Sequence, residues 1–349
     1  MKIATVIGAR PQFIKAAAVS RVIRKYNNIN EVIIHTGQHY DENMSAIFFE
    51  ELDIPQPDYN LNVGSMRHGK QTAKMLERIE EVILKEKPDW LLTYGDTNST
   101  IAGALAAAKI HIPVAHVEAG LRSFNRKMPE EINRIATDHI SNLLFAPTKN
   151  AMQLLEKEGL KEKSLLSGDV MYDSVLYYSE KLNLQHQPKE LGTIKNYYLG
   201  TIHRPENTDN IQRLKTIFEA FSEAEYPVVL PLHPRTRSLL KEVKYNKNVK
   251  IIEPVGYLSM LYLLKNSKKV LTDSGGLQKE AYFLKIPCIT LRDQTEWIET
   301  LNGGWNFIVG ADKRKIMKYL TFQDYGEIQN VFGDGNAAEK IIIKIINCY

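Results

Sequence analysis

KKVLTDSGGLQKEAYFLKIPCITLRDQTEWIE, residues 268–299, is the stretch whose reading decides the fold. It opens on a short apolar run (Val270, Leu271) and turns at Asp273-Ser274-Gly275-Gly276. Leu277, Ala281 and Leu284 then recur at helical spacing, with Gln278, Lys279 and Glu280 between them. Pro287 follows, and a second apolar run occupies Cys288 to Leu291. The order is strand, glycine turn, helix, strand. A helix opened by two glycines presents unpaired backbone N–H groups and the positive end of its dipole at one point. Two readings are open for this fragment by itself. The point binds phosphate, because glycine lets a ligand come close to the backbone. Or Asp273 or Ser274 merely caps the helix and the glycines merely make the turn.

The same alternation runs through the rest of the chain. Ile3 to Ile7 predicts a strand ending at Gly8-Ala9-Arg10-Pro11, where Pro11 suits a first helical position. Further strands are predicted at Glu31–His35, Trp90–Tyr94, Pro113–Val117 and Leu143–Ala146. Helical patterns cover Asn43–Leu52, Arg67–Leu84, Ser99–Lys109 and Pro129–Asn142. The character changes near Gly168-Asp169, and 185–196 is weakly patterned. A second series then begins, with strands at Tyr197–Thr201, Pro227–Leu232, Val249–Ile252, Lys269–Leu271 and Pro287–Leu291. Short apolar strands alternating with helices predict parallel sheets covered on both faces. We expect two Rossmann-like domains, 1–168 and 169–349, with the last helix, Ala337 to Ile346, free to cross back onto the first.

Composition narrows the function classes. At 349 residues the chain suits two domains, and 44% apolar with 25% charged residues is ordinary for a globular protein. Lys and Arg number 45 against 41 Asp and Glu, a net charge of +4 without a basic tract, so no nucleic-acid partner is expected. The two cysteines, Cys288 and Cys348, make neither a disulfide framework nor a CxxC metal motif. No run approaches the roughly 18 apolar residues of a membrane span, and the N-terminus lacks the apolar segment of a signal peptide. The expected location is the cytoplasm, away from the membrane.

In open parallel sheets, ligands bind beyond the carboxyl ends of the strands. Those ends carry Arg10, His35, His39, Asp96, Glu118, His203, His233 and Asp273-Ser274, a set rich in chemistry for loops of a cleft between two sheets. Asp96 and Glu118 each follow an apolar strand, and Glu130 and Glu131 open the next helix. Crowded carboxylates cannot all ionise cheaply, which makes them candidates for general acid and base. Glu130 and Glu131 also have a plain explanation, since acids in a helix's first turn are favoured by its dipole. Arg10, Lys15 and Arg134 either neutralise a phosphate or balance the carboxylates; Lys15 and Arg134 also read as solvated charges on helix faces. His203-Arg204 and His233-Pro234 end strands of the second series. HExxH, the GxGxxG dinucleotide fingerprint, the P-loop and the GxSxG elbow are all missing from the sequence. With so many charged strand ends, the phosphate reading of DSGG prevails over the cap.

Taken in order, these motifs resemble the non-hydrolysing UDP-N-acetylglucosamine 2-epimerases over essentially the full length. Gly8-Ala9-Arg10-Pro11, Thr36-Gly37-Gln38-His39, Gly95-Asp96-Thr97, HVEAGLR (116–122), PEEINR (129–134), His203-Arg204, His233-Pro234, DSGGLQKEA (273–281) and Arg292-Asp293 with Thr295-Glu296 carry the resemblance. It implies an isomerase of GT-B fold. It also implies that UDP is eliminated to give a 2-acetamidoglucal and then re-added after protonation on the other face. By resemblance Asp96, Glu118 and Glu130 handle the C2 proton or the oxocarbenium-like state. His203 with Arg10 stabilises the departing diphosphate. Ser274, Gly275 and Gly276 hold phosphate, Glu280 takes the ribose hydroxyls, and Lys15, Arg134 and His233 complete the substrate site. The resemblance implies a UDP-amino sugar as ligand, no metal or other cofactor, a homodimer, and a role in making surface polysaccharide precursors.

The chain departs from the best-known members at Ala9, at Gln12-Phe13 and at Tyr40-Asp41. GARPQFIK (8–15) and 276–297 look closer to the branch acting on UDP-2,3-diacetamido-2,3-dideoxyglucuronate, which is the second substrate to weigh. Three rivals also fit: a GT-B glycosyltransferase, a UDP-sugar-binding regulator, and a variant that hydrolyses its substrate to free N-acetylmannosamine and UDP.

Overall fold

The computed structural model describes residues 1–38, 49–232 and 234–349. The chain divides into two compact units. Met1–Ser174 together with Asn330–Tyr349 form the first, and Val175–Gln329 the second. The boundary falls inside the helix Val170–Lys181.

Unit 1 is built on a parallel sheet of seven strands in the order β3-β2-β1-β4-β5-β6-β7. The strands are β1 (Lys2–Ile7), β2 (Asn30–His35), β3 (Tyr59–Asn60), β4 (Trp90–Tyr94), β5 (Val114–Val117), β6 (Leu143–Ala146) and β7 (Ser164–Leu166). Most of β1 and all of β4, β5 and β6 are buried, as expected of strands covered on both faces. The alanine-rich helix Asn98–Lys109 lies tightly on the sheet. A Cβ added to its Gly103 would come within 3.2 Å of Val6, so small residues set that distance.

The C-terminal helix Ala337–Ile346 belongs to this unit. It buries Ile341, Ile342 and Ile345 completely, each contributing roughly 1.5–3 kcal/mol. Its first turn is tied down by Asp173, whose carboxylate accepts the Ala338 N–H at 2.7 Å.

Unit 2 repeats the plan with six parallel strands in the order β10-β9-β8-β11-β12-β13. These are β8 (Tyr198–Thr201), β9 (Val228–Pro231), β10 (Val249–Ile252), β11 (Val270–Thr272), β12 (Cys288–Thr290) and β13 (Asn306–Ile308). Its core gathers Leu214, Ile217, Phe218 and Phe221 from the helix Ile211–Glu223 against Val228, Leu230, Leu271 and Ile289.

The α/β alternation read from the sequence is the one observed. The strands that pattern alone did not predict are β3, β7 and β13, all of two or three residues at sheet edges. So short a strand has no room for an apolar run, and its pairing with a neighbour is what makes it a strand. The predicted helix at 43–52 lies largely outside the described residues, as do His39, Tyr40-Asp41 and His233.

In each sheet the strand order reverses direction at one place, between β1 and β4 in unit 1 and between β8 and β11 in unit 2. At such a switch point the connections leave in opposite directions and open a crevice beyond the strand ends. Gly8–Arg10 and Gly95–Asp96 lie at the first, and His203-Arg204 and Asp273-Ser274 at the second.

Candidate active site

At the unit 1 switch point, Lys15 and Glu118 form a salt bridge although they lie 103 residues apart. Lys15 is 6% exposed and Glu118 8% exposed, so the pair is withdrawn from water. A buried ion pair of this kind is kept by mutual charge and hydrogen bonding rather than by solvent. Lys15 is therefore a partner for a carboxylate, not a charge on a solvated helix face.

Two backbone features make the contact possible. Gly95 has φ +64°, and a Cβ there would stand 3.1 Å from Lys15 Nζ and 3.5 Å from Glu118 Oε1. Glu118 itself has φ +71°, a left-handed conformation that costs a non-glycine residue about 1–2 kcal/mol. Strain of this kind persists only where surrounding structure enforces it, and it concentrates at functional sites.

A second pair lies beside the first. Arg134 Nη2 donates to Asp96 Oδ2 at 2.5 Å, and Arg134 Nη1 lies 3.1 Å from Glu131 Oε2. Arg134 is buried like Lys15 and balances carboxylates in the same way. Glu131 is buried too, and its carboxylate accepts the Ser123 N–H, the Ser123 hydroxyl and the Phe124 N–H, each at 2.9 Å. The dipole is therefore only part of the reason for an acid at 131; it also anchors the loop before its own helix. Glu130, its neighbour in the first turn of the helix Pro129–Ile140, is half-buried.

Gln12, in the first turn of the helix Arg10–Ile23, knits the two loops together. Its Oε1 accepts the N–H groups of Gly8 and Ala9 at 2.9 and 3.1 Å, while its Nε2 donates to the Tyr94 carbonyl at 2.9 Å. Arg10 opens that helix, half-buried.

Beneath these loops lies a buried network that the sequence did not announce. The His116 Nε2–H donates to the Gly95 carbonyl at 2.7 Å, and His116 Nδ1 meets Asp138 Oδ1 at 2.7 Å. Asp138 Oδ2 accepts from the Gly120 N–H at 3.1 Å and from Arg122 Nη1 at 2.7 Å. Arg122 in turn grips Glu158 through two parallel bonds of 2.7 Å. Burial pushes the Asp138 carboxyl up, but hydrogen bonds and charge from His116 and Arg122 outweigh it and hold the group below its ordinary value. The trace in the sequence is the HVEAGLR motif, whose histidine stands inside the apolar strand VAHV.

At the unit 2 switch point the DSGG stretch divides its labour. Asp273 is fully buried and accepts the N–H groups of His203 and Arg204 at 3.0–3.1 Å and the side-chain amide of Asn207 at 3.1 Å. His203 Nδ1 lies 3.3 Å from the same carboxylate, and the side chain is 52% exposed. Ser274 is the helix cap, its hydroxyl accepting the Leu277 N–H at 3.4 Å. The helix Gly275–Phe283 starts there, and its first N–H groups have no acceptor within the helix. A Cβ at Gly275 would fall 2.8 Å from Glu296 Oε1, so glycine here accommodates a close carboxylate. Glu296 is paired with Arg292 at 2.9 Å, and Lys279 lies over the Trp297 ring at 3.8 Å. Glu280 is buried one turn into the helix.

Each unit thus gathers its own candidates. Unit 1 brings Lys15, Asp96, Glu118 and Arg134 together, with Arg10 opening the helix after β1 and Glu130 in the first turn of the helix Pro129–Ile140, and unit 2 places His203, Ser274, Gly275, Gly276 and Glu280 at its own switch point. Among the described residues no group of three or more His, Cys, Asp or Glu side chains could hold a metal ion. No helix among them is long and apolar enough to cross a membrane.

Comparison with known proteins is consistent along the whole chain. The sequence profile of the family described as UDP-N-acetylglucosamine 2-epimerase matches residues 21–346. A UDP-N-acetylglucosamine 2-epimerase homolog of Methanococcus maripaludis is 55% identical, with 98% of each chain covered. The UDP-2,3-diacetamido-2,3-dideoxy-D-glucuronate 2-epimerase of Pseudomonas aeruginosa is 51% identical over the same shares. The crystal structure of Methanocaldococcus jannaschii UDP-GlcNAc 2-epimerase, in complex with UDP-GlcNAc and UDP, is 48% identical and superposes with a TM-score of 0.91 over 100% of both chains. The fold accordingly falls in the GT-B class expected from the sequence.

Proposed function

From the premise that this chain belongs to the UDP-N-acetylglucosamine 2-epimerase family of isomerases, we propose that it interconverts UDP-N-acetylglucosamine and UDP-N-acetylmannosamine. The observation that carries the reading is the buried Lys15–Glu118 pair, with Glu118 in a strained conformation beside Asp96. Two carboxylates at neighbouring strand ends, one buried and one open to the crevice, are candidates for taking and returning a proton.

The C2 hydrogen of the sugar is not acidic enough for simple removal and return. The reaction we propose eliminates UDP instead. The C2–H bond breaks, its proton passes to a carboxylate of unit 1, and the C–H electron pair forms the C1–C2 double bond. The C1–O bond breaks with it, its electron pair leaving on UDP. In the return step a proton is delivered to the other face of C2 and UDP oxygen re-forms the bond to C1. Asp96, Glu118 and Glu130 are the proposed acid and base groups. His203 and Arg10 stabilise the diphosphate while it is free. The open N–H groups of Gly275 and Gly276 with Ser274 hold phosphate, and Glu280 binds the ribose hydroxyls. Lys15 and Arg134 act in this scheme by holding the Glu118 and Asp96 carboxylates in place through their ion pairs.

Incubating the protein with UDP-N-acetylglucosamine in D2O tests the reading by proton NMR. The expected result is a mixture of both epimers with deuterium at C2; epimerised product without the label would sink the elimination route. Free UDP accumulating with N-acetylmannosamine would point to hydrolysis, and turnover only with an added sugar acceptor to a transferase. The 51% identity to the P. aeruginosa relative favours a second substrate, the diacetamido glucuronate, and the same assay run on that compound decides between them. We further propose that the product feeds surface polysaccharide precursor synthesis, and that the protein is a cytoplasmic homodimer; light scattering on the purified chain checks the dimer.

A further inference from the structure

We infer that Asp138 is a positioning residue: its single carboxylate grips the chain on both sides of Glu118 and, through His116, the turn that carries Asp96. The inference rests on the proposed reading that Glu118 and Asp96 act on the sugar.

The geometry is specific. Asp138 Oδ1 meets His116, two residues before Glu118, and Oδ2 takes the Gly120 N–H, two residues after it. The residue held between these two grips is the one with φ +71°. Left to itself, a glutamate there would relax to negative φ, and its carboxylate would turn away from Lys15. Glu118 and Ala119 also donate their N–H groups to the Phe145 carbonyl, at 3.1 and 3.0 Å, which fixes the same turn against β6.

The second arm runs through the imidazole. His116 holds Asp138 with one nitrogen and donates to the Gly95 carbonyl with the other. Gly95 immediately precedes Asp96 and packs against the Lys15–Glu118 contact. One carboxylate on the helix Pro129–Ile140 therefore registers both strand-end acids against each other, and does so through main chain rather than by touching either acid's side chain. The same oxygen that takes Gly120 also takes Arg122, so the grip draws on the charge of the carboxylate as well as its shape. An asparagine offers one oxygen and no charge, so it loses the ion pair to Arg122 and weakens the bond to His116. Gly120 has no substitute either, since a Cβ there would lie 2.6 Å from the Ala151 carbonyl.

The test compares Asp138→Asn with Glu118→Gln and with Ile342→Val, a core change in the C-terminal helix of the same unit. Steady-state kcat and KM are measured on the full chain, with UDP affinity and Tm. Displacing a reacting group by about 1 Å costs on the order of 100-fold in rate. Asp138→Asn is expected to lower kcat by about that factor, with KM and UDP affinity within roughly threefold of the parent. Ile342→Val is expected to lower Tm while kcat stays put. If Asp138→Asn fails to fold, His116→Leu, which cuts the tie to Gly95 and leaves Arg122 and Gly120 on Asp138, must show the same split. A kcat for Asp138→Asn or His116→Leu no lower than that of Ile342→Val overturns the inference. Parent-like kcat for Glu118→Gln overturns the catalytic reading beneath it instead.

Discussion

Asp273 holds His203 by its main chain and by its ring: the carboxylate accepts the His203 N–H through both oxygens at 3.1 Å and lies 3.3 Å from Nδ1. The aspartate of DSGG thus faces backwards into the protein and fixes the histidine turn after β8. The serine caps the helix, and the two glycines form its first turn. Of the two readings that the bare stretch allowed, the cap is observed at Ser274, and phosphate binding at the glycines is part of the proposed function.

Replacing Asp273 by asparagine keeps the size of the group and removes one acceptor oxygen from a site with four donors. Leaving a buried donor unmet costs about 1–3 kcal/mol. We expect Asp273→Asn to lower the urea midpoint accordingly, and to lower kcat more than it weakens UDP binding. An unchanged midpoint would show that the turn does not depend on the carboxylate.

Lys15→Met strands the Glu118 carboxylate in a site that is closed to water. Breaking one side of a buried pair costs about 3–5 kcal/mol, whereas removing both charges is often close to neutral. Lys15→Met should therefore destabilise strongly, and Lys15→Met with Glu118→Gln should regain most of that stability while remaining inactive. Denaturant titrations of the two singles and the double give the coupling directly. Additive losses would mean the pair is not coupled.

Gly95→Ala meets two obstacles, the left-handed backbone and the Lys15 ammonium 3.1 Å from the new methyl. Gly159 shares the backbone, at φ +76°, with nothing within 4 Å of its added Cβ. Gly159→Ala should cost roughly 1 kcal/mol and leave kcat alone. Gly95→Ala should cost more and should reduce kcat, because it pushes apart the Lys15–Glu118 contact. Equal behaviour of the two variants in a thermal melt and a rate assay would exclude that explanation.

Asp173 sets a pH dependence of known sign. Burial, only partly offset by the Ala338 and Ala337 N–H groups, raises its carboxyl from 3.8 to about 6, with Asp169 and Asp334 adding to the rise. The folded state therefore holds this proton more tightly than the unfolded chain. The stability tied to it is complete below the unfolded value and declines as pH rises through about 4 to 6. At neutral pH the ionised group costs roughly 2–3 kcal/mol by that shift. Asp173→Asn should match the parent in Tm near pH 4 and exceed it near pH 7, since an amide oxygen still accepts the Ala338 N–H. A gap that is constant across this range would mean that Asp173 does not titrate with folding.

Much of the fold was legible because its signals are local. β1, β4, β5 and β6 are apolar runs, and the glycine turns after them are written in consecutive residues. Alternation of such runs with helical spacing leaves a parallel sheet as the economical outcome. The short edge strands were not legible, since pairing rather than pattern defines them. The candidate positions were legible as well, because strand ends concentrate polar residues that no core would keep. Their partners were not. Nothing in the run around Lys15 distinguishes a solvated lysine from one that meets Glu118 103 residues later.

The sequence by itself therefore determined the two parallel α/β units, the family, and the strand ends where the candidate residues lie. Those follow from periodicity and turn residues, which act over a few positions of chain. Only the tertiary structure decided what each charged group is for. Lys15 and Arg134 balance carboxylates, Glu131 anchors a loop, Asp273 holds His203, and Asp138 clamps the turn of Glu118. The reason is physical. The strength of a charge pair depends on separation and burial, and both are set when the strand ends converge, not by distance along the chain.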